Sequence, residues 1–328
     1  MALIAKRHKD REQRGQIVRA IEVAKARTGS AVGSMLKELG VSRASYYRYR
    51  KCAIPKDRKP RAQGAPLTPA ERVGVIDVAL AHPLTGYKSL TWILQNEAIA
   101  GVRSHHVLKL LRQENLIVRR EAAARVQHTK PAAPAFPNEV WHIDLMYLSL
   151  RSKWWYLVDI LDAYSRYLVH WTLNDSMASD TVTLTILEAL EMWSPDPKPA
   201  IVHDNGAQFV SKEWRAFTGH HGLPSIRIRL AHPQSNGRIE RLHRTHREEG
   251  LAGADDWSVT QARTTLARWS EQYNNRRPHS ALCGLPPVVY YLGEPDAAVA
   301  QREHFVQAAA EARVNYWRQH NDAQVSNS

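Results

Sequence analysis

Apolar positions recur along this chain with two different periods. Before residue 122 they fall three and four apart, and from residue 138 they crowd into short runs rich in aromatic and β-branched side chains. The first pattern predicts amphipathic helices and the second predicts strands. Ile17, Ala20, Ile21 and Ala24 mark one face of a first helix. Ser34–Leu39 reads as a short helix, Gly40 and Val41 as a turn, and Ser42 as the cap of a third segment, Arg43–Lys51. Thr68, Pro69, Ala70 and Glu71 form a capping box with proline at the first helical position, and Val73, Ile76 and Leu80 mark the face expected to be buried. Two further helices follow, Lys88–Ile99 with Leu90, Ile93 and Leu94 inside, and Ser104–Asn115 with Val107, Leu110 and Leu111 inside.

Beyond Asn138, three strands joined by short turns (Val140–Leu148, Trp154–Leu161, Tyr167–Leu173) predict an antiparallel meander. A helix at Ser179–Trp193, a buried strand at Ala200–His203, a helix at Lys212–His221, a strand at Ser225–Arg229 and a helix at Gly237–Gly250 complete the order β-β-β-α-β-α-β-α. That order predicts a mixed sheet covered by helices, an α/β core following all-α domains. Ser258–Asn274 is a further helix leading into the proline-rich stretch Arg276–Pro287, and 297–319 is a closing alanine-rich helix. Two Pro/Ala/Lys-rich breaks, Ile54–Pro66 and Ala122–Pro137, read as linkers because proline removes backbone donors. The expected division is a helical domain at 1–55, a linker at 56–66, a second helical domain at 67–121, a linker at 122–137, the α/β core at 138–292 and a C-terminal helix and tail at 293–328.

Charge refines this picture. The net charge is +13, and residues 1–62 hold 17 Lys and Arg against 5 Asp and Glu. Basicity concentrated at one end is the footprint of a domain that meets a polyanion; a solvated basic tail is the plainer alternative. Short helix, glycine turn and a helix rich in Arg and Tyr make a helix-turn-helix pattern. Its last helix would enter the major groove with Arg43, Ser45, Arg48 and Arg50 toward the DNA, against the alternative of a helical bundle with an incidental basic face. In the second helical domain Lys88, Arg103, Lys109 and Arg112 are weaker candidates for DNA contact. The chain has 44% hydrophobic and 23% charged residues, ordinary for a globular protein. It shows no long apolar span and no signal-peptide pattern at its start. Cys52 and Cys283 are too isolated for a disulfide framework or a zinc site, so a reducing cytoplasm, on the nucleoid when DNA is bound, is the expected location.

Three carboxylates stand out by position. Asp144 lies inside the strand WHIDLMYL, where a charge is costly unless paired. Asp204 ends the strand AIVHD, and Glu240 sits in the first turns of the helix GRIERLHRTHREE. Fifty-nine residues separate the first two and 35 separate the second from the third. Ends of neighbouring strands and a facing helix can gather such groups. Carboxylates so close stay ionised only beside cations, and oxygen-only ligands select Mg²⁺ or Mn²⁺. Two such ions would serve in-line displacement at phosphorus, with Asp144 bridging them. Asp159, Asp162 and Asp175 read as turn or surface ion-pair residues, Asp162 as part of the hairpin turn DAYSR. His243 and His246 read as facing DNA or solvent rather than as a metal pair.

Taken together, WHIDLMYL, YLVDILDAYSRYLVHW, IVHDNGAQF, HPQSNGRIERLHRTHREE and YNNRRPHSALCGLPP over residues 138–292 resemble the integrase catalytic core of the retroviral-integrase superfamily, as used by DDE transposases of bacterial insertion sequences. TGYKSLTWILQNEAIAGVRSHHVLKLLRQENLI resembles the second helix-turn-helix that precedes the core in such transposases. The resemblance implies a ribonuclease-H-like fold, divalent-metal catalysis, and cleavage with strand transfer at inverted-repeat ends of double-stranded DNA by at least a dimer. It places Asp144, Asp204 and Glu240 on the metal-binding triad. Arg244 and Arg247, at i+4 and i+7 from Glu240, match positions that hold substrate DNA, and Gln234, Ser235 and Asn236 match the loop at the DNA end. Asn205 and Gln208 are weaker contacts. The chain lacks the His-His-Cys-Cys zinc domain of retroviral integrases, which favours the insertion-sequence branch.

Other classes fit less well. The only HxxR is His8 to Arg11, without the layout of a tyrosine recombinase, and no GxxxxGK[ST] loop is present, so any ATP-driven accessory step falls to a separate protein. A non-catalytic DNA-binding regulator derived from a transposase, and a metal nuclease that cuts without joining, are the remaining alternatives.

Overall fold

The computed structural model describes residues 11–29, 31–53, 65–117, 134–227 and 237–325. The chain divides into two compact units, 1–64 and 65–328.

The first unit is a three-helix bundle of α1 (Arg11–Thr28), α2 (Val32–Glu38) and α3 (Arg43–Ala53). Its core is Val18, Ile21, Leu36, Val41, Tyr46 and Tyr49. The expected face of α1 is rotated slightly, because Val18 takes the buried place given to Ala20. Gly40 adopts φ +62 in the turn, and the Ser42 hydroxyl accepts from the Ser45 amide at 3.1 Å. Both tyrosines of α3 that lie in the core are structural, and Tyr46 donates to Glu22 on α1 at 2.8 Å.

In the second unit, α4 (Pro69–Ala81), α5 (Tyr87–Asn96) and α6 (Ser104–Gln113) form a small bundle. The capping box at Thr68 and Glu71 is present. Leu90, Ile93, Leu94, Val107, Leu110 and Leu111 are inside as expected. The face of α4 is a correction. Val75, Val78 and Ala79 are buried, whereas Val73 and Leu80 are more than half exposed. Because α4 is apolar nearly all round, its period did not select a face; packing against α5 and α6 did.

The core sheet has the order β3-β2-β1-β4-β5. Its strands are β1 (Val140–Leu150), β2 (Lys153–Asp162), β3 (Leu168–Asn174), β4 (Ala200–His203) and β5 (Ser225–Arg227). The first three pair antiparallel, and β4 joins β1 and β5 in parallel. Alternation sends Trp141, Ile143, Val158 and Ile160 to one face, where Val182, Ile186 and Ala189 of α7 (Ser179–Trp193) cover them. The helices α8 (Ala207–Val210) and α9 (Lys212–His221) flank that layer through Phe209 and Trp214. The opposite face is covered by α10 (Gly237–Thr245) and α11 (Val259–Asn275), through Leu161, Leu168, Ile239, Leu242, Trp269 and Tyr273. Ser258 closes a capping box on α11.

After α12 (Pro287–Tyr291), the long helix α13 (Pro295–Val325) packs on the small bundle. Arg313, 3% exposed, pairs with Glu71 and donates to the Gly101 carbonyl. A Cβ on Gly101 would collide with the Ala309 Cβ, so this close approach needs glycine. The bundle also meets the stretch after α11: Trp92 lies against Gly284, and Asn96 donates to the Gly284 carbonyl at 2.8 Å. Among the described residues, no helix is long and apolar enough to cross a membrane.

Candidate active site

The parallel pairing of β1 with β4 matches His142 to Val202. Asp144 lies two residues beyond that pair on β1 and Asp204 two residues beyond it on the β4 side, close enough for the Asp204 charge to act on Asp144. Asp204 follows the last residue of β4 and accepts from the Gly206 amide at 2.8 Å, an Asx turn that ends the strand. Asp144 accepts from the Leu145 amide at 2.9 Å. Burial raises its pKa from 3.8 to about 6; His243 and the Leu145 amide pull it back, and Asp204 and Asp159 push it further up.

Glu240 stands in the first turn of α10 with an exposed side chain. It is one turn before His243, whose Nδ1 lies 3.7 Å from Asp144 Oδ2. The helix therefore sits over the strand that carries Asp144. Among the described residues, no group of three His, Cys, Asp or Glu is close enough to hold a metal ion. Asp144 and Asp204 interact electrostatically, and α10, which bears Glu240, lies over the strand of Asp144 without closing a preformed triad. The donors are hard oxygens, and burial disfavours the ionised form of Asp144, which a nearby cation would favour. Both features fit a divalent cation.

Asp159 corrects the sequence reading. It is no turn residue but lies in mid-strand, directly opposite Asp144 in the antiparallel register, and it is fully buried. Its Oδ2 is 3.2 Å from His243 Nε2 and 3.3 Å from His246 Nε2. These are ion-pair contacts rather than aligned hydrogen bonds, since neither Asp159 oxygen has a well-directed donor. Burial opposes ionisation of Asp159, yet the two histidines outweigh it and hold the carboxyl well below its usual range. Burial likewise depresses His243, and the two carboxylates reverse this to raise its pKa. His243 and His246 thus face the sheet interior, not DNA or solvent. His246 packs on Trp269 with ring centroids 4.0 Å apart, at the point where α10 passes into a π-helical turn, His246–Gly250.

Asp162 does hold the predicted turn, accepting from the amides of Asn138 and Ser165 and from the Ser165 hydroxyl. Asp175 is exposed beside Lys153 at 3.7 Å. Asn274 also escaped the sequence reading as an individual residue. Buried in α11, it accepts from the Leu168 amide and donates to the Leu168 carbonyl, finishing β3 as another strand would.

Two family models, each described as an integrase core domain, match residues 134–233 and 221–287. A 39.2 kDa protein of insertion element IS476 from Xanthomonas euvesicatoria is 27% identical over 69% of this chain and 65% of that protein, so the match spans just under two thirds of that relative. The transposase of insertion sequence element IS629 from Shigella sonnei is 24% identical over 84% of this chain and 98% of its own length. The chain thus carries an integrase core domain and is similar to transposases of bacterial insertion sequences. Among solved structures, the HTLV-2 integrase catalytic core in complex with magnesium aligns with 48% of this chain and 97% of its own, at 16% identity and a TM-score of 0.39.

The other expected contact residues are distributed as follows. Arg244 and Arg247 are exposed on α10 and the turn after it, and Arg244 pairs with Glu248 at 2.9 Å. Asn205 is exposed, while the half-buried Gln208 folds back over Gly206. Lys88, Lys109 and Arg112 are exposed, and Arg103 is exposed but paired with Glu303 at 2.9 Å. Arg43 is exposed and Ser45 partly buried. The side chains of Arg48 and Arg50, and all of Gln234, Ser235 and Asn236, lie outside the described residues, as does most of both expected linkers.

Proposed function

We propose that this protein is a transposase that cleaves and joins DNA at the inverted-repeat ends of its element, with Asp144, Asp204 and Glu240 holding divalent metal. The observation that supports the reading is the parallel pairing of β1, which carries Asp144, with β4, which Asp204 follows, together with the seating of the helix that bears Glu240 over β1. Two Mg²⁺ or Mn²⁺ ions held there would supply Lewis-acid activation of the attacking oxygen and neutralise charge at the leaving 3′ oxygen. The protein's own part is to present the carboxylates and to hold the DNA. Arg244 and Arg247, exposed beyond Glu240 on α10 and the turn after it, are suited to grip the phosphates that flank the scissile bond, with Gln234, Ser235 and Asn236 at the DNA end. The basic unit at 1–64 reads the end through Arg43, Ser45, Arg48 and Arg50 of a helix-turn-helix, and the bundle of α4–α6 adds a second contact. Two ends must be processed together, so the active species is at least a dimer on DNA.

The test is a cleavage and strand-transfer assay with Mg²⁺ on duplexes carrying the inverted repeats. Wild-type protein should yield joined products, and Glu240→Gln should bind the ends but neither cut nor join. Occupied ends with no metal-dependent nicking would instead make the protein a DNA-binding regulator, and nicking without joined products would make it a nuclease.

A further inference from the structure

The Asp159–His243–His246 cluster has no part in the triad, yet it is the most deeply buried charged group beside it. Asp144 and Asp159 face each other across β1 and β2 on the same side of the sheet. Like charges so placed repel and destabilise the pair of strands, and a fully buried carboxylate is costly without a counter-charge. Both problems are answered by α10. His243 inserts between the two acids, with Nδ1 toward Asp144 and Nε2 toward Asp159, and His246 reaches Asp159 from one turn further on. A helix that carries a metal-binding carboxylate at Glu240 is thereby pinned to the strand that carries another.

We propose that Asp159, acting through His243 and His246, is a positioning residue that sets how Asp144 and Glu240 are presented to divalent metal. This deepens the functional reading above and rests on it. Asp159 touches neither metal nor DNA. Its effect is to fix the catalytic helix in register on the sheet and to keep Asp144 from rotating toward the interior. The sequence carries a matching signal: Asp159 is a charge inside the apolar run YLVDIL, and it meets two histidines spaced three apart on the catalytic helix.

The test uses the full chain and two readouts. Mn²⁺ binding to DNA-free protein is titrated by electron paramagnetic resonance, and the Mg²⁺ dependence of cleavage is measured on an inverted-repeat duplex. Asp144→Asn shows what loss of the site looks like. In Asp159→Asn the half-saturating Mn²⁺ concentration should rise about tenfold, as when a group that orients a metal ligand is lost. The Mg²⁺ requirement should rise in step, while metal-free binding to the ends is unchanged. His246→Gln should move both in the same direction. A folded Asp159→Asn with wild-type half-saturation overturns the proposal. Should that variant fail to fold, Asp159→Val with His246→Leu replaces this buried polar pair by apolar groups. Wild-type half-saturation in that double variant overturns the proposal, and a raised one supports it. If Asp144→Asn binds Mn²⁺ as wild type does, the triad reading itself falls.

Discussion

Replacing Asp144 by Asn should stabilise the metal-free protein while abolishing its chemistry. Burial, with Asp204 and Asp159 nearby, lifts the Asp144 pKa from 3.8 to about 6 despite His243 and the Leu145 amide. Holding that carboxylate ionised near neutral pH therefore costs the folded state about 3 kcal/mol. The sign follows from which state ionises first. At acid pH the group is protonated in folded and unfolded chains alike and costs nothing. As pH rises, the unfolded chain ionises first, and the folded state loses stability until the folded pKa is passed. Above that the penalty is constant. Asparagine keeps the size and the acceptor of the neutral form, so the gap between variant and wild type should open between about pH 4 and pH 6 and stay level to about pH 8. A divalent ion at the site supplies the missing positive charge, so Mg²⁺ should close the gap by stabilising the wild type alone. The assay is urea unfolding of both proteins across this pH range in chelator, repeated with Mg²⁺ at neutral pH. A difference of this size corresponds to roughly 6–12 °C in Tm for a unit of this length. An Asn variant no more stable than wild type in chelator at neutral pH, or a gap that does not narrow in acid, would refute the reasoning.

Further expectations follow from other parts of the molecule. Arg313→Ala strands the partly buried Glu71 carboxylate and the Gly101 carbonyl, and should cost about 3–5 kcal/mol in chemical denaturation; a loss under about 1 kcal/mol would mean that α13 is not integral to the bundle. His279 is held neutral by burial and by Arg277 and Arg166, its pKa lowered from 6.5 to about 3. The stability it contributes is present above its unfolded value and is lost as pH falls toward the folded one, about 3 kcal/mol by pH 4.5. His279→Gln should remove that part of the acid sensitivity in urea midpoints. Deleting residues 1–64 should flatten the salt dependence of end binding, by roughly 0.9 in slope for each phosphate no longer neutralised; an unchanged slope in filter-binding titrations would place the DNA-reading surface elsewhere.

Much of this molecule is legible in one dimension. Residues that cap or turn the chain act on their neighbours, so Thr68 with Glu71, Gly40, Ser42 and Ser258 mark helix ends locally. The spacing in α5 and α6 names their buried faces because one face is clearly apolar and the other polar, whereas β2 is an apolar run buried on both faces. Asp144 and Asp204 announce themselves as charges in or at the end of apolar strands. The remainder depends on partners distant in sequence. The buried face of α4 is ambiguous by composition and was decided by α5 and α6. Asp159 looks like a residue near a turn until strand pairing sets it opposite Asp144, and His243 and His246 look like a helix surface until α10 lies down on that pair. Asn274 completes a strand over a hundred residues before it, and α13 is tied to the small bundle by Arg313 and Glu71. A sequence specifies which groups bear charge and which segments must hide a face, because those are properties of single residues and short periods. Which buried charge meets which counter-charge is a property of the packed sheet and helices, because only there does excluding water force each one to find a partner.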